Sequence, residues 1–499
     1  MADIRKAACI GGGVIGAGWA ARFLLNGIDV AMYDPDPEAE RKVSEVLANA
    51  ERAYTGMVLF PLGPKGKLTF AKTVAEAVKD AEFIQESAPE RLELKQKLLK
   101  EIDAAAPVAT VIGSSTSGLK PTDMQKDMAH PERLVVGHPF NPVYLLPLVE
   151  VVAGQKTNTQ SVARAHEVYE SIGMKPVTIA KEIEAFVGDR LLESMWREAL
   201  WLIKDDITTV KELDDVMRYG FGLRWAQMGM FEIYRVAGGE AGMRHFMAQF
   251  GPCLKWPWTK FTDVVDLDDA LVDKIARQSD EQAAGRSIRE LERIRDDNLV
   301  AIMQALKGWN GGEGWGAGEA LKKFEERLQA RAFAGRPADV DISKPLRLHS
   351  TRVPAGWIDY NGHMNESRYL QVFCDASDAL LRYIGADTDY VATGRSYYTA
   401  ETHIMHLGEC KVGTPLAVDT QVLSSDEKRL QVLHSMVNTD SGSVVATAEQ
   451  MFLHVDMKGQ KACPADAKVL AKLRPIAEAH AKLPRPDAVG RHVGAPRKK

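Results

Sequence analysis

The stretch Ala7-Ala8-Cys9-Ile10-Gly11-Gly12-Gly13-Val14-Ile15-Gly16 joins a short apolar run to a cluster of glycines. Residues 17–25, which follow it, have the apolar pattern of a buried helix. A strand that leads through G-x-G-x-x-G into a helix is typical of the first βαβ unit of a dinucleotide-binding domain. This stretch therefore predicts an α/β domain with a parallel sheet at the start of the chain.

Each glycine of the motif has a physical task in such a unit. Gly11 permits the tight turn, Gly13 lets the backbone approach a pyrophosphate, and Gly16 lets the helix pack closely on the strand. The first N–H groups of the helix, from Val14 and Ile15, would then face the phosphates.

Asp34 ends the next predicted strand, eighteen residues after Gly16. A carboxylate there would accept a hydrogen bond from the ribose 2′-hydroxyl and repel a 2′-phosphate. We therefore expect NAD, rather than NADP, as the cofactor.

Composition narrows the class of protein. The 499 residues carry a net charge of −5, so the chain has no basic footprint for nucleic acid. No apolar run approaches the roughly 20 residues of a membrane helix, and we expect no membrane association. The five cysteines are scattered and form no C-x-x-C pair. We interpret them as buried thiols of a cytoplasmic protein and expect no metal site.

The pattern of apolar residues divides the chain. Residues 1–182 alternate short apolar runs at 7–10, 29–33, 83–85, 110–113 and 134–137 with helical stretches, as a parallel α/β sheet requires. Residues 183–330 are helical, residues 331–345 form a linker, and residues 346–470 combine one helix with alternating runs typical of an antiparallel sheet. Residues 471–499 form a basic tail that we expect to be disordered.

Polar residues at predicted strand ends form a candidate catalytic group. His138 directly follows the run 134–137, and Glu150 lies twelve residues further on. A histidine can take the proton of a hydroxyl while a hydride leaves, and a carboxylate behind it fixes the tautomer. Ser117 follows another strand end and could hydrogen-bond the substrate oxygen. The three residues predict an alcohol dehydrogenase.

The stretches around these residues resemble the 3-hydroxyacyl-CoA dehydrogenase family over about residues 1–320. They are Ser114-Ser115-Thr116-Ser117-Gly118-Leu119, Gly137-His138-Pro139-Phe140-Asn141-Pro142, Leu148-Val149-Glu150-Val151-Val152 and Glu86-Ser87-Ala88-Pro89-Glu90-Arg91-Leu92-Glu93-Leu94-Lys95. The resemblance implies that Ser117, His138 and Glu150 are catalytic. It also implies that Glu90, Lys95 and Asn141 contact the cofactor.

One position departs from that family. Where the family has Phe-x-x-Asn-Arg, this chain has Phe186-Val187-Gly188-Asp189-Arg190. The added negative charge of Asp189 suits a cationic substrate. Aromatic faces attract quaternary ammonium groups by about 0.5–2 kcal/mol each. The residues further along the helical region resemble the branch of the family that oxidises free hydroxy compounds. The candidates for the ammonium group are Trp196, Phe221, Trp225, Phe231 and Tyr234, and those for a substrate carboxylate are Arg190 and Arg224.

A second motif, Asp359-Tyr360-Asn361-Gly362-His363-Met364-Asn365, lies in a predicted turn before a helix that begins at Glu366. It resembles the hotdog-fold thioesterases of the 4-hydroxybenzoyl-CoA type over about residues 346–457, although Trp357 replaces the first Asp of their D-x-D pattern. The resemblance implies that Asp359 attacks the thioester or acts as its general base. Gly362, His363 and Asn365 are further candidates for binding an acyl-CoA. Alternatively, Asp359 only caps the turn, and the domain serves to form a homodimer.

We therefore expect an α/β Rossmann domain, an all-α helical domain and a C-terminal α+β hotdog domain. The expected enzyme is bifunctional: it oxidises a small, free, cationic hydroxy compound with NAD and hydrolyses an acyl-CoA. One alternative is a 3-hydroxyacyl-CoA dehydrogenase with a general thioesterase, which predicts basic residues near 50–70, where Lys65 and Lys67 lie. Another is a non-catalytic NAD-binding protein, against which the intact group of Ser117, His138 and Glu150 argues.

Overall fold

The computed structural model describes residues 4–58, 65–260, 262, 264–309, 312–334, 340–353 and 357–493. The chain divides into two compact units, and the main division falls between Glu326 and Arg327. None of the helices in the described ranges combines the length and apolarity that a membrane span needs.

The first unit is built on an eight-stranded sheet with the order β3-β2-β1-β4-β5-β6-β7-β8. Its strands are β1 (Lys6–Ile10), β2 (Asp29–Tyr33), β3 (Leu68–Phe70), β4 (Phe83–Glu86), β5 (Val111–Ser114), β6 (Leu134–Pro139), β7 (Leu148–Ala153) and β8 (Lys175–Ile179). The five runs predicted as strands are confirmed as β1, β2, β4, β5 and β6.

The expectation of a purely parallel sheet is wrong at one place. All neighbouring strands are parallel except β6 and β7, which are antiparallel. Residues 140–147 between them are too few for the helical crossover that a parallel pair requires. This antiparallel pair places His138 directly opposite Glu150.

Helices cover both faces of this sheet, and a separate cluster of buried apolar residues lies on each face. They are α1 (Val14–Leu25), α2 (Ala39–Met57), α3 (Val74–Val78), α4 (Leu92–Ala105), α5 (Pro121–Met124) and α6 (Thr159–Ser171). Trp19, Phe23, Phe83 and Tyr169 are fully buried on one side and form a chain of ring contacts.

The rest of the first unit is helical, as predicted. Its helices are α7 (Gly188–Lys204), α8 (Val210–Val216), α9 (Gly222–Trp225), α10 (Met230–Ala237), α11 (Gly242–Phe250), α12 (Asp269–Ala283), α13 (Ile288–Lys307) and α14 (Ala317–Ala334). A capping box at Ser287 and Glu290 fixes the start of α13. Buried Asp296 of α13 accepts a hydrogen bond from Tyr144, which follows β6.

The second unit is an antiparallel sheet with the order β10-β13-β12-β11-β9, and β14 pairs with β13. Its elements are β9 (Leu346–Arg352), α15 (Glu366–Tyr383), α16 (Thr388–Ala392), β10 (Arg395–His406), β11 (Pro415–Ser425), β12 (Arg429–Asn438), β13 (Val444–Asp456), β14 (Lys461–Ala462) and α17 (Ala467–His480). The apolar face of α15, with Val372, Phe373 and Ala376, is buried against residues of the sheet such as Val418 and Met436. A single long helix on a curled antiparallel sheet is the predicted hotdog architecture.

Two predicted segments need correction. Helix α14 continues to Ala334, so helical structure extends into the predicted linker, of which residues 335–339 lie outside the described residues. The predicted disordered tail begins inside α17, where Leu473 and Ile476 are buried. Val469, Leu470, Leu473 and Ile476 form an apolar stripe at helical spacing, which the basic composition of the segment obscured. Residues 494–499 of that tail lie outside the described part of the chain.

Candidate active sites

The glycine turn after β1 has the shape that a dinucleotide needs. Gly11 has a φ of +103°, in the region that favours glycine. A Cβ on Gly16 would lie 1.9 Å from the carbonyl oxygen of Gly11, whereas a Cβ on Gly13 would meet no atom within 4 Å. Gly13 caps α1 without a side-chain hydrogen bond, so the N–H groups of Val14 and Ile15 start the helix beside open space.

Asp34 lies at the wall of an adjoining cavity of about 520 Å³, together with Gly11, Gly13 and Ser87. Its carboxylate accepts hydrogen bonds from the backbone N–H groups of Gly12 and Asp36. An acidic residue beside a free helix N-terminus and an apolar cleft fits NAD, with Asp34 at the ribose and α1 at the pyrophosphate.

We predict different effects for alanine at two glycines of this turn: Gly16→Ala lowers the stability of the fold, and Gly13→Ala lowers the affinity for NAD. Gly16→Ala forces backbone atoms apart, and overpacking of this kind costs about 1–3 kcal/mol. This cost outweighs the gain in helix propensity of roughly 1 kcal/mol. We therefore expect a lower unfolding temperature for Gly16→Ala in the absence of cofactor.

Gly13→Ala is the matched variant, because the φ of −63° at Gly13 suits alanine and the added methyl group meets no protein atom. We expect its unfolding temperature to stay unchanged and its NAD affinity to fall by about tenfold, or about 1.4 kcal/mol. Thermal unfolding and NADH fluorescence titration measure the two effects. Equal NAD affinity in wild type and Gly13→Ala would contradict the assigned path of the pyrophosphate.

The structure brings His138 and Glu150 together at the carboxyl end of β6. Nδ1 of His138 lies 2.9 Å from Oε2 of Glu150, and both side chains are buried. Because a carboxylate only accepts hydrogen bonds, Nδ1 donates to Glu150, and in the neutral imidazole Nε2 then carries the lone pair. This arrangement suits a general base.

The second carboxylate oxygen of Glu150 is held by the start of α7. Its Oε1 accepts hydrogen bonds from the N–H groups of Val187, at 3.2 Å, and Gly188, at 3.0 Å. Burial alone would raise the pKa of Glu150, but the hydrogen bonds from His138, Gly188 and Val187 outweigh burial and lower the pKa. Glu150 therefore stays ionised and stabilises an imidazolium at His138.

Asp189 lies on the other side of the imidazole, with Oδ2 3.6 Å from Nε2 of His138. Burial raises the pKa of Asp189, and although His138 opposes this shift, repulsion from Glu150, Glu90 and Glu193 adds to it. The carboxylate thus lies in a negative environment that a cationic ligand would relieve.

Ser117 lies in the loop after β5 and is positioned by Glu90. Oε1 of Glu90 accepts hydrogen bonds from the N–H groups of Ser117, at 3.1 Å, and Gly118, at 2.9 Å, and from the hydroxyl of Thr116. Asn141 is exposed just beyond β6. The structure thus brings Ser117, Glu90 and Asn141 to the carboxyl end of the sheet.

Lys95 is the exception among the predicted cofactor contacts. Its side chain is 1% exposed, and its ammonium group donates to Glu86, at 2.8 Å, and to the carbonyl oxygen of Ala88, at 2.9 Å. In this arrangement Lys95 lies beneath the loop that carries Glu90, with Nζ 3.8 Å from Oε2 of Glu90. The Lys95 ammonium group thus has partners within the protein, where it braces this loop, and its contact with the cofactor stays a prediction.

A cavity of about 1070 Å³ opens beside Asp189 between α7 and α8. Ser117, Glu90, Trp196 and Phe221 are among the residues that line it. Its wall is rich in carboxylates, which belong to Glu90, Asp189, Glu193, Glu198 and Asp214. The described lining thus combines two large aromatic faces with an excess of negative charge.

The remaining predicted substrate residues do not line this cavity. Trp225 packs on Phe221, with ring centroids 4.7 Å apart, and Tyr234 stacks on Phe246 at 4.5 Å. Phe231 is 75% exposed, and Arg190 and Arg224 are exposed as well. Their helical spacing did not reveal which face of each short helix turns toward the catalytic group.

The sequence analysis missed three residues at this site. Phe140 and Phe186 flank the imidazole of His138, with ring centroids at 4.9 Å and 5.7 Å. Arg197 lines the cavity and donates from Nε to Glu193 at 3.1 Å. Arg197 could have been found from its spacing, since it lies eight residues after Asp189 on the same helix.

In the second unit, Asp359 lies in the tight loop before α15. An isolated bridge between Ile358 and Met364 closes the loop, and Gly362 adopts a φ of +81° within it. Oδ1 of Asp359 accepts hydrogen bonds from the N–H groups of Asn361, at 2.8 Å, and His363, at 3.4 Å. No partner of Oδ2 lies among the described residues, so this oxygen remains available to a substrate or a water molecule.

The other predicted residues of this loop have structural partners. The N–H of Gly362 donates to the carbonyl oxygen of Asp359 at 3.0 Å, and the N–H of His363 is already bound to the Asp359 carboxylate. The side chain of Asn365 caps α15 by accepting from the N–H of Ser367 at 3.0 Å. The N–H groups of Gly362 and His363 therefore have partners within the loop, and binding of an acyl-CoA by Gly362, His363 and Asn365 stays a prediction. Nε2 of His363 lies 3.2 Å from Glu409.

Three family models match successive parts of the chain. The model described as 3-hydroxyacyl-CoA dehydrogenase, NAD binding domain, matches residues 6–183. The model of the C-terminal domain of the same enzymes matches residues 186–269. The model of the thioesterase-like superfamily matches residues 353–473.

Curated relatives share the whole arrangement. The L-carnitine dehydrogenase/betainyl-CoA thioesterase of Rhizobium meliloti (strain 1021) is 65% identical over 498 residues, which cover 100% of both chains. The L-carnitine dehydrogenase of Mesorhizobium japonicum is 71% identical over 339 residues, which cover 68% of this chain and 93% of the relative. Among solved structures, an NAD+-dependent 5-formyl-3-hydroxy-2-methylpyridine 4-carboxylic acid 5-dehydrogenase matches with 28% identity and a TM-score of 0.53, covering 62% of this chain and 100% of that one.

Proposed function

From the premise that the chain belongs to the family of fused L-carnitine dehydrogenase/betainyl-CoA thioesterases, we propose that it carries out both reactions. The first unit oxidises L-carnitine with NAD to 3-dehydrocarnitine. The second unit hydrolyses betainyl-CoA to glycine betaine and CoA. Both substrates carry a trimethylammonium group, which is a chemical reason for the two domains to share one chain.

The observation that carries the carnitine assignment is the charge of the cavity beside His138. Among the charged side chains of its described wall, carboxylates predominate, and Oδ2 of Asp189 lies 3.6 Å from the catalytic nitrogen. The neutral acyl chain of a CoA ester would gain nothing from this negative wall, whereas a trimethylammonium group is attracted to it. Trp196 and Phe221 add aromatic faces for the same group.

In the proposed oxidation, His138 takes the proton of the C3 hydroxyl at Nε2. Glu150 stabilises the resulting imidazolium through Nδ1, and the α7 N–H groups keep this carboxylate oriented. The hydroxyl of Ser117 offers a second hydrogen bond to the substrate oxygen. Bound NAD supplies the acceptor of the hydride that leaves C3, and Asp34 and the N-terminus of α1 hold it.

In the proposed hydrolysis, Asp359 attacks the thioester carbonyl or takes a proton from the attacking water. As general base, Asp359 passes that proton to the thiolate of CoA once water has added to the acyl carbon and the C–S bond breaks. As nucleophile, it displaces the thiolate, which takes a proton from solvent, and water then cleaves the resulting anhydride and restores the carboxylate. Oδ2 of Asp359 is the oxygen available for this step, since Oδ1 is held by the loop.

We also propose a cytoplasmic homodimer. The helical part of the first unit exposes large apolar side chains, including Leu254 at 88%, Trp256 at 53% and Trp258 at 68%, and such a surface is typical of an interface. In the second unit, β10 pairs only with β13 among the described strands, which leaves a long sheet edge. The free cysteines suit a reducing compartment. Sedimentation velocity would give twice the chain mass of 54.9 kDa for the dimer.

The test of the proposed function is NADH formation with L-carnitine, run beside D-carnitine and 3-hydroxybutyryl-CoA at equal NAD. We expect turnover of L-carnitine. Turnover of the CoA ester alone would favour the 3-hydroxyacyl-CoA dehydrogenase alternative. Lys65, one of two lysines that this alternative would use for CoA phosphates beside Lys67, is already paired with Glu51 at 2.6 Å. No turnover of any substrate would favour the non-catalytic alternative.

A further inference from the structure

Arg197 stands out on the wall of the 1070 Å³ cavity because it is the basic side chain among described lining residues that are otherwise acidic or uncharged. A zwitterionic substrate needs one partner for its ammonium group and another for its carboxylate. Among the other described lining residues, the carboxylates would repel a substrate carboxylate, the apolar side chains offer it no hydrogen bond, and Ser117 is assigned to the substrate hydroxyl. The charge distribution therefore leaves Arg197 as the place where the carboxylate can bind.

The position of Arg197 on α7 matches the length of a short substrate. Asp189, Glu193 and Arg197 are spaced by four residues and share one face of the helix. Eight residues of helix rise by about 12 Å, and long side chains lean back toward the helix N-terminus, which shortens the gap to Asp189. The C3 hydroxyl of carnitine lies between its ammonium and carboxylate ends, and Asp189, at the ammonium end, lies 3.6 Å from Nε2 of His138.

Glu193 holds the guanidinium in place without using all of its donors. Nε of Arg197 donates to Oε1 of Glu193 at 3.1 Å, and the arginine side chain is 37% exposed. The two terminal nitrogens have no partner among the described residues. They form the planar fork that binds a carboxylate through two parallel hydrogen bonds.

We propose that Arg197 binds the substrate carboxylate and that, together with Asp189, it makes the site specific for a zwitterion with a quaternary ammonium group. This inference rests on the proposed carnitine dehydrogenase function. It assigns the carboxylate to neither Arg190 nor Arg224, because both arginines lie outside the cavity.

The test compares L-carnitine with (2-hydroxypropyl)trimethylammonium, which keeps the hydroxyl and the ammonium group but has a hydrogen in place of the carboxylate. For Arg197→Gln, we expect KM for L-carnitine to rise about 10- to 100-fold with kcat unchanged. We expect KM for the analogue to stay as in wild type. Arg197→Lys keeps the positive charge but loses the planar pair of donors. We expect its KM for L-carnitine to lie between the values for the wild type and for Arg197→Gln.

Arg277→Gln is the matched control, since Arg277 forms the same kind of helical pair, with Glu281 at 2.9 Å, away from this cavity. It should leave both KM values unchanged. An equal rise of KM for both substrates in Arg197→Gln, or no rise for either, would overturn the inference while L-carnitine turnover by the wild type persists. If the wild type oxidises no L-carnitine, the proposed function fails and the inference fails with it.

Discussion

His138→Gln is expected to lower kcat for L-carnitine oxidation by about 10²- to 10⁴-fold, the range that a positioned general base contributes. Glutamine keeps the approximate size of the side chain but offers no basic nitrogen to the C3 hydroxyl. Steady-state NADH formation measures the effect. NAD affinity should not change, because Asp34 and the α1 N-terminus lie in a separate cavity.

The matched control is His166→Gln, in the same unit, whose imidazole bonds to Thr178 near the protein surface. We expect wild-type kcat for it. A kcat for His138→Gln that equals the wild-type value would remove His138 from the reaction and with it the mechanism proposed above. Unchanged NAD affinity, measured by NADH fluorescence on the same preparation, shows that the first unit is still folded.

Asp359→Asn is expected to lower kcat/KM for betainyl-CoA by at least about 10²-fold, because an amide neither attacks the thioester nor accepts the proton of water. The amide oxygen can still accept the N–H groups of Asn361 and His363. The variant therefore separates the chemical role of the carboxylate from its role as a turn cap. Release of free thiol reports the rate.

Asp426→Asn provides the comparison for a capping role alone. Oδ1 of Asp426 accepts from the N–H groups of Lys428, at 2.8 Å, and Arg429, at 2.7 Å, in the turn before β12. We expect this variant to hydrolyse betainyl-CoA at the wild-type rate. Full activity of Asp359→Asn would show that Asp359 only caps its turn, whereas a wild type that hydrolyses no acyl-CoA would support the alternative in which the domain serves to form a dimer. Carnitine oxidation should be unaffected in both variants.

The sequence predicted most of the architecture because its signals were local. The turn at Gly11 and Gly16, the start of α15 at Glu366 and strand β12 at Arg429–Asn438 were all readable from short-range pattern. The direction of strand β7 was not readable in this way, because Leu148-Val149-Glu150-Val151 fits a buried strand of either orientation. Only the short connection from β6 decides that it is antiparallel.

Candidate site residues could be predicted where they belong to a sequence motif. They were harder to predict on helices, where the sequence does not show which face of the helix lines the site. His138, Glu150 and Asp359 were identified by motif, and their geometry fits the proposed roles. The aromatic residues were chosen by composition, so Trp225 and Tyr234 were included although their rings pack within the helical part. Lys95 was assigned to the cofactor from a resemblance, and in the structure its ammonium group is buried against Glu86.

The contact between Glu150 and the first N–H groups of α7 concerns two properties of the enzyme, its basic group and its choice of substrate. It assigns them to different turns of one helix. The start of this helix is pinned to the proton-accepting pair, while its later turns carry Glu193, Trp196 and Arg197. Substitutions on those later turns can therefore change which molecule is admitted without disturbing the base. A new substrate preference can therefore evolve through changes in the later turns of α7. A displacement of its first turn would instead disturb the hydrogen bonds that orient Glu150 behind His138.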